Sequence, residues 1–345
     1  MTIRVGINLL WLRPGEVGGT ETYIRRILES LVSDQEALDL HLFGTTSAIE
    51  AVRPGSASIV EHRAPSGFDA PALRVILERT WLRRCMSRGI DVAHHPGGTV
   101  PFAGSPSAVT IHDLQPLDDP QNFSAVKRAF LARAIPTAID RADVVITPSD
   151  WVGEQLRERF LLPPERVITV SAFARARVGV GPHEPTALVR NIVSRGPVAF
   201  YPAMTMNHKN HTCLFDAFSD AVLERPDLQL VCVGAIGRDD QEIREKAAAT
   251  SAKIHMLGHV TRGDLDFLLA SAEVLVFPSL YEGFGLPVLE AQQAGLPVVA
   301  STACALPEVA GLGAVLLDPR DRTAWTEALV SPLQGAARIA AVEAG

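Results

Sequence analysis

Glu282 and Glu290 bracket the stretch Glu282-Gly283-Phe284-Gly285-Leu286-Pro287-Val288-Leu289-Glu290, which Pro278-Ser279-Leu280-Tyr281 introduces. A short apolar run, Val274 to Phe277, comes before it and reads as a buried strand. The glycine-containing turn then leads into a helix. Pro287 suits the first helical position, where its missing N–H costs nothing. The free N–H groups of such a first turn attract phosphate. Glu290 lies about one turn in, and helical side chains lean back toward the N-terminus. The two glutamates are therefore expected to flank one opening. Carboxylates are poor partners for phosphate and strong acceptors from hydroxyls. A turn that cradles phosphate between two hydroxyl acceptors suits a nucleotide sugar.

A cation with the right placement is Lys209. It ends the loop Tyr201-Pro202-Ala203-Met204-Thr205-Met206-Asn207-His208-Lys209, which leaves one predicted strand and enters a helix through Asn210-His211. An ammonium there can act on a diphosphate as a point charge. Gly18-Gly19-Thr20 follows the first predicted strand and opens a helix. Adjacent glycines allow close backbone approach, and the helix N–H groups can receive a phosphate or an acceptor oxygen. Taken alone, the same pair also marks a plain turn. His112-Asp113-Leu114 closes a strand that begins at Ala108. One reading is a strand-end histidine with Asp113 orienting its ring.

Other polar clusters carry less. His94-His95 with Asp113 invites a metal site, but adjacent histidines in a strand point to opposite faces. No metal is expected. Asp118-Asp119 and Asp239-Asp240 read as loop charges. The segment Leu73 to Arg84 is apolar with a basic face. A solvated helix face is the preferred reading, and docking on an anionic membrane is the other.

The elements that must position these residues recur in two halves. Predicted strands are Ile3–Asn8, Leu40–Phe43, Ser58–Val60, Val92–His94, Ala108–His112, Val144–Thr147 and Val167–Val170, then Val198–Tyr201, Gln229–Val233, Ile254–Leu257, Val274–Phe277, Pro297–Ala300 and Ala314–Leu317. Helical patterns fall near 20–32, 70–88, 125–140, 150–160, 210–223, 239–249, 263–271 and 287–294, with a last one from Thr323. Alternating strand and helix implies α/β architecture with doubly wound parallel sheets. Gly179, Gly181, Pro182 and Pro185 punctuate the junction. Ligands of such sheets bind beyond the carboxyl ends of the strands, where most of the residues above lie.

The chain has 345 residues, enough for two domains, with 47% hydrophobic residues and a net charge of −7. That balance argues against a general nucleic-acid binder. Cys85, Cys213, Cys232 and Cys304 form no C-x-x-C pair, which fits a reducing, cytoplasmic setting. The N-terminus enters a strand at once, without the apolar core of a signal peptide. No run is long enough for a membrane-spanning helix.

The Glu282–Glu290 segment resembles the E-x7-E signature of retaining glycosyltransferases of family 4. The resemblance implies a GT-B fold: two Rossmann-like domains facing each other across a cleft, with 1–178 as the acceptor-binding domain, 179–195 as a linker and 196–345 as the nucleotide-sugar-binding domain. It implies that Glu290 holds the ribose hydroxyls and Glu282 the hydroxyls of the donor sugar. The backbone of Gly283, Phe284, Gly285 and Leu286 would approach the sugar and phosphates. Lys209 would hold the diphosphate. The family's usual arginine partner is replaced here by Met204, and the variant Tyr-Pro-Ala…His-Lys-Asn-His resembles a subgroup. Gly18 and Gly19 match its glycine-rich loop. His112 matches its sugar-binding histidine, with its carbonyl near the anomeric carbon. Many members continue with further helices, the last crossing back to the first domain, whereas this sequence stops at Gly345.

On that resemblance the expected activity is metal-independent, retaining transfer of a hexose to an acceptor hydroxyl in polysaccharide or glycoconjugate biosynthesis. The donor would be GDP- or UDP-linked, with no further cofactor; GDP-mannose is the first trial, because similar His-Lys-Asn-His members often handle mannose. The acceptor would be a saccharide or a lipid-linked saccharide, and the enzyme would work in the cytoplasm, with possible peripheral contact at the inner membrane face. Two alternatives stay open: a nucleotide-sugar epimerase on the same fold, and a non-catalytic nucleotide-sugar-binding subunit or sensor.

Overall fold

The computed structural model describes residues 2–15, 18–32, 38–55, 59–65, 71–102, 106–171, 184–251 and 253–331. The chain divides into two compact units, Met1–Phe173 and Ala174–Gly345.

The first unit is built on seven strands: β1 (Ile3–Asn8), β2 (Leu38–Gly44), β3 (Val60–Arg63), β4 (Val92–His95), β5 (Ser107–Thr110), β6 (Val144–Thr147) and β7 (Val167–Thr169). They lie in the order β3-β2-β1-β4-β5-β6-β7 and every neighbouring pair is parallel. The chain thus starts in the middle of the sheet, winds outward to β3, returns to β4 and winds the other way. The second unit repeats the plan with β8 (Val198–Pro202), β9 (Gln229–Val233), β10 (Ile254–Gly258), β11 (Val274–Phe277), β12 (Val298–Ser301) and β13 (Ala314–Leu317), in the order β10-β9-β8-β11-β12-β13. Each sheet reverses its strand order once, between β1 and β4 and between β8 and β11. Parallel strands covered by helices on both faces should read as continuous apolar runs. They do so in the centre of the second sheet, where Val274-Leu275-Val276-Phe277 is buried at every position.

The strands fall where the sequence pattern expects them except at the edge of the first sheet, where the run read as Ser58–Val60 is β3 at Val60–Arg63 and overlaps it only at Val60. The helix expected over 70–88 is three pieces: α-helical Pro71–Leu77, a wider π-helical turn at Glu78–Leu82, and α-helical Arg83–Met86. The wide turn starts at Glu78, a buried carboxylate that accepts from Arg74 Nε at 3.1 Å and from Asn8 Nδ2 at 3.4 Å. A uniform helical period cannot report such a local change of pitch. Four short α-helices among the described residues, Thr46–Val52, Gln115–Asp118, Ala187–Val193 and Leu306–Ala310, fall outside the expected helical stretches; Thr45 caps the first and Thr186 the third. They are too brief to establish periodicity, and a threonine cap alone does not announce a helix. The helix Ala187–Val193 occupies part of the stretch read as a linker and buries Val189 and Ile192 in the core of the second unit. Gly179, Gly181 and Pro182 lie outside the described residues.

Candidate functional site

In doubly wound sheets the crevice for a ligand opens where the strand order reverses. In the second unit that point lies between β8 and β11. The loop carrying Lys209 follows β8, and the turn carrying Glu282 follows β11. Lys209 Nζ donates to Glu282 Oε1 at 2.6 Å, and the two side chains are only 16% and 12% exposed. An ammonium has three donors and an ionised carboxylate several acceptor positions, so this bond leaves capacity on both groups.

Each half of the pair is held from behind. Leu280 N–H donates to the His208 carbonyl at 2.8 Å, joining the two loops directly. The Tyr201 hydroxyl donates to the Lys209 carbonyl from a fully buried ring. Asp239 and Asp240, read above as loop charges, have a structural task. Asp239 Oδ2 accepts from Asn207 N–H at 2.8 Å, and Asp240 Oδ1 accepts from the Thr205 hydroxyl at 2.9 Å. Both fasten the Lys209 loop to the start of the helix Asp240–Thr250. Their partners lie more than thirty residues away in sequence, which no local motif signals.

Gly285 opens the helix Leu286–Gln293 from the left-handed region, at φ +103°. That backbone conformation favours glycine, and a Cβ there would sit 2.6 Å from Leu306 Cδ2, so any larger residue also requires the Leu306 side chain to shift. Pro287 is the second helical residue, one later than expected, because Leu286 already belongs to the helix. Phe284 and Leu286 bury their side chains, which leaves the backbone of the turn as its outward chemistry. Glu290 stands half-buried on the same helix. The turn is also tied to the next strand. Ser301 Oγ donates to the Ser279 carbonyl at 2.6 Å, and Ala305 N–H donates to the Glu282 carbonyl at 3.3 Å.

Two histidines beside Lys209 are neutral. Burial and the nearby ammonium pull His208 down to about 3 and His211 down to about 4. Uncharged rings leave Lys209 as the cationic group of its loop.

In the first unit Gly18 adopts φ +55° and Gly19 is the first residue of the helix Gly19–Val32. Tyr23, which the sequence reading passed over, connects this helix to His112. The two rings meet edge-on with centroids 5.1 Å apart at 88°. The Tyr23 hydroxyl donates to the Val170 carbonyl at 2.9 Å. His112 lies two residues past the end of β5, and its Nε2 donates to the Pro96 carbonyl at 2.8 Å. That carbonyl orients the ring, and Asp113 Oδ1 accepts from Gln115 N–H. Burial holds His112 down to about 4, so the ring is neutral near pH 7. With Nε2 carrying the proton, Nδ1 is the acceptor.

His94 and His95 leave β4 on opposite faces, as strand geometry requires. His94 Nε2 meets Thr110 Oγ1 at 2.8 Å, while His95 Nδ1 lies 3.4 Å from Asn8 Nδ2. Among the described residues, no group of three or more His, Cys, Asp or Glu side chains could hold a metal ion. Lys209 and Glu282 are thus brought into contact in one unit, and the Gly18-Gly19 helix and His112 in the other.

Comparison with known proteins accounts for both units. Residues 17–173 match the family model described as Glycosyltransferase Family 4, and residues 196–334 match that of Glycosyl transferases group 1. The chain is 28% identical over 249 residues to the O-antigen chain mannosyltransferase B of Escherichia coli, covering 70% of this chain and 65% of that protein, a little under two thirds of its length. It is 30% identical over 308 residues to the GDP-mannose-dependent monoacylated alpha-(1-6)-phosphatidylinositol monomannoside mannosyltransferase of Corynebacterium glutamicum, covering 82% of this chain and 76% of that one. The structure of Anabaena Alr3699/HepE in complex with UDP and glucose superposes with a TM-score of 0.72 at 17% identity, over 99% of this chain and 92% of that chain. The fold is GT-B, and the chain belongs to glycosyltransferase family 4.

Proposed function

We propose that the protein is a retaining glycosyltransferase. It moves a hexose from a nucleoside diphosphate sugar to an acceptor hydroxyl in polysaccharide or glycoconjugate assembly, without a metal. The Lys209–Glu282 pair, set where the second sheet reverses its strand order, carries this reading. A cation for phosphate and an anion for hydroxyls held 2.6 Å apart match a ligand in which a diphosphate adjoins a sugar.

Charge builds on the diphosphate as the glycosidic bond breaks. Lys209 and the N–H groups of the helix Leu286–Gln293 are the groups that offset it. Glu282 accepts from donor-sugar hydroxyls; in the first unit, His112 presents Nδ1 of a neutral ring as a hydroxyl acceptor. Glu290 accepts from the ribose. No side chain is assigned as a nucleophile: the departing phosphate takes the acceptor proton while the new bond forms on the same face. Mannose is the favoured sugar and GDP the favoured nucleotide, since the C. glutamicum relative is GDP-mannose-dependent; UDP sugars are the second choice. Exposed Arg79, Arg83 and Arg84 give the first unit a basic face that is solvated in the first reading and, in the second, rests peripherally on an anionic membrane carrying a lipid-linked acceptor.

The test is incubation with GDP-mannose and then UDP-glucose against a panel of saccharide and polyprenyl-linked acceptors, with and without EDTA. Nucleoside diphosphate release and the anomeric configuration of the product are read by chromatography and NMR. Retention in EDTA is expected. An inverted product sinks the stereochemical assignment, and absence of both binding and turnover sinks the whole. Donor binding without turnover on any acceptor favours a nucleotide-sugar sensor. Met204, standing where the family commonly has arginine, is the residue that would support that second reading.

A further inference from the structure

We infer that Asn210 is a positioning residue: its side-chain amide ties the Lys209 loop to the turn that bears Glu282 and so fixes the ammonium in place. This rests on the sugar-transfer reading of the site.

Asn210 lies in the left-handed region, at φ 62° and ψ 35°, as N-cap of the helix His211–Glu224. An asparagine at an N-cap ordinarily accepts from an N–H of the first helical turn. This one makes no such bond. Its amide nitrogen turns away from the helix and donates twice, to the Pro278 carbonyl at 3.0 Å and to the Pro319 carbonyl at 2.7 Å. Two carbonyl partners require the NH2 side of the amide to face them, which settles its orientation. Pro278 is the first residue after β11 and opens the Glu282 turn; Pro319 follows β13. A single side chain therefore joins the loops beyond β8, β11 and β13.

The consequence falls on Lys209. Its carbonyl is held by the Tyr201 hydroxyl, the residue before it by Leu280 N–H, and the residue after it by the two Asn210 bonds. The backbone around the lysine is thus pinned to the element that carries its partner. A helix-capping asparagine would do none of this.

The test measures GDP and UDP binding by titration calorimetry on the wild type, Asn210→Gly, Lys209→Ala and the double variant, with a melting curve for each. Glycine adopts the same backbone angles, so the change removes the amide alone. Asn210→Gly is expected to weaken nucleoside diphosphate binding on the order of tenfold when Lys209 is present, and less than about twofold when it is absent, the non-additivity of residues that act as a unit. A merely structural asparagine lowers the melting temperature equally in both backgrounds and leaves the two affinity ratios alike; that result, or no effect on affinity at all, overturns the inference. Should the glycine variant be unfolded at the assay temperature, Asn210→Asp replaces it, keeping the shape and turning acceptor oxygens toward two carbonyls. Wild-type protein that binds neither nucleotide overturns the sugar-transfer reading itself, and the positioning role with it.

Discussion

Lys209 Nζ and Glu282 Oε1 stand 2.6 Å apart, 73 residues apart in sequence, on loops that leave neighbouring strands of one sheet. Both groups are mostly withdrawn from water. Removing one partner of a buried pair strands the other charge, at a cost of about 3–5 kcal/mol when burial is complete. The residual exposure here lowers that. Lys209→Met or Glu282→Gln alone should destabilise the second unit by about 2 kcal/mol. The double variant should regain most of the loss and still fail to transfer sugar. Urea unfolding alongside an activity assay separates the two effects. A double variant as unstable as the singles would show that the contact contributes no coupling.

The two glutamates should fail differently. Hydrogen bonds to a charged group contribute about 1.5–3 kcal/mol, so Glu290→Ala should weaken nucleotide binding roughly tenfold to a hundredfold. Glu282→Ala should mainly lower turnover, because its partner is the sugar that reacts. Steady-state kinetics with the donor varied will distinguish a rise in KM from a fall in kcat. If both variants work at the wild-type rate, the site is misplaced.

The framework of this site is legible in the sequence, and its fastening is not. β6, β9, β11 and β13 begin and end where their apolar runs do, because a proline, glycine or aspartate follows each run at once. Lys209 and Glu282 stand out individually for the same reason: each follows such a strand. That they bond to each other depends on β8 and β11 lying side by side, a tertiary fact. Tyr23 looks like any apolar position of its helix until β5 delivers His112 to its ring edge. Asp239 and Asp240 look solvated until the Lys209 loop folds over them. In each case a polar group takes its role from a partner far along the chain, and local pattern holds no record of the partner.

Gly285→Ala probes the turn without touching a charge. A non-glycine residue forced into a sparsely populated positive-φ conformation costs about 1–3 kcal/mol, and here the new methyl also meets Leu306 Cδ2 at 2.6 Å. The variant should lose stability by several kcal/mol and lose donor binding with it, since the helix N-terminus shifts. Adding Leu306→Ala removes the steric part only. Equilibrium unfolding of the single and double variants should therefore show partial relief in the pair relative to the sum of the two single losses. Strict additivity would mean that backbone strain alone is responsible.

Acid should destabilise both units through their neutral histidines. Burial is the leading cause that lowers His94 to about 3, His95 to about 4 and His112 to about 4 in the first unit, and His208 to about 3 and His211 to about 4 in the second. Unfolded, each binds a proton near pH 6.5. Between that value and the folded pKa the unfolded chain holds more protons, so stability falls as pH falls, by up to about 1.4 kcal/mol per pH unit for each histidine. His211 offers the cleanest check, because both its ring nitrogens are buried without a hydrogen-bond partner, and its ring packs against those of Tyr201 and Phe215. A buried polar group without a partner costs about 1–3 kcal/mol, and an apolar group of similar size removes that cost. His211→Leu should thus be at least as stable as the wild type near pH 7.5 and exceed it by a wider margin at pH 5, with a flatter stability profile for the second unit between pH 6.5 and 4. Urea titrations across that range read the slope directly, and a variant whose profile runs parallel to the wild type would show that His211 does not titrate in this window.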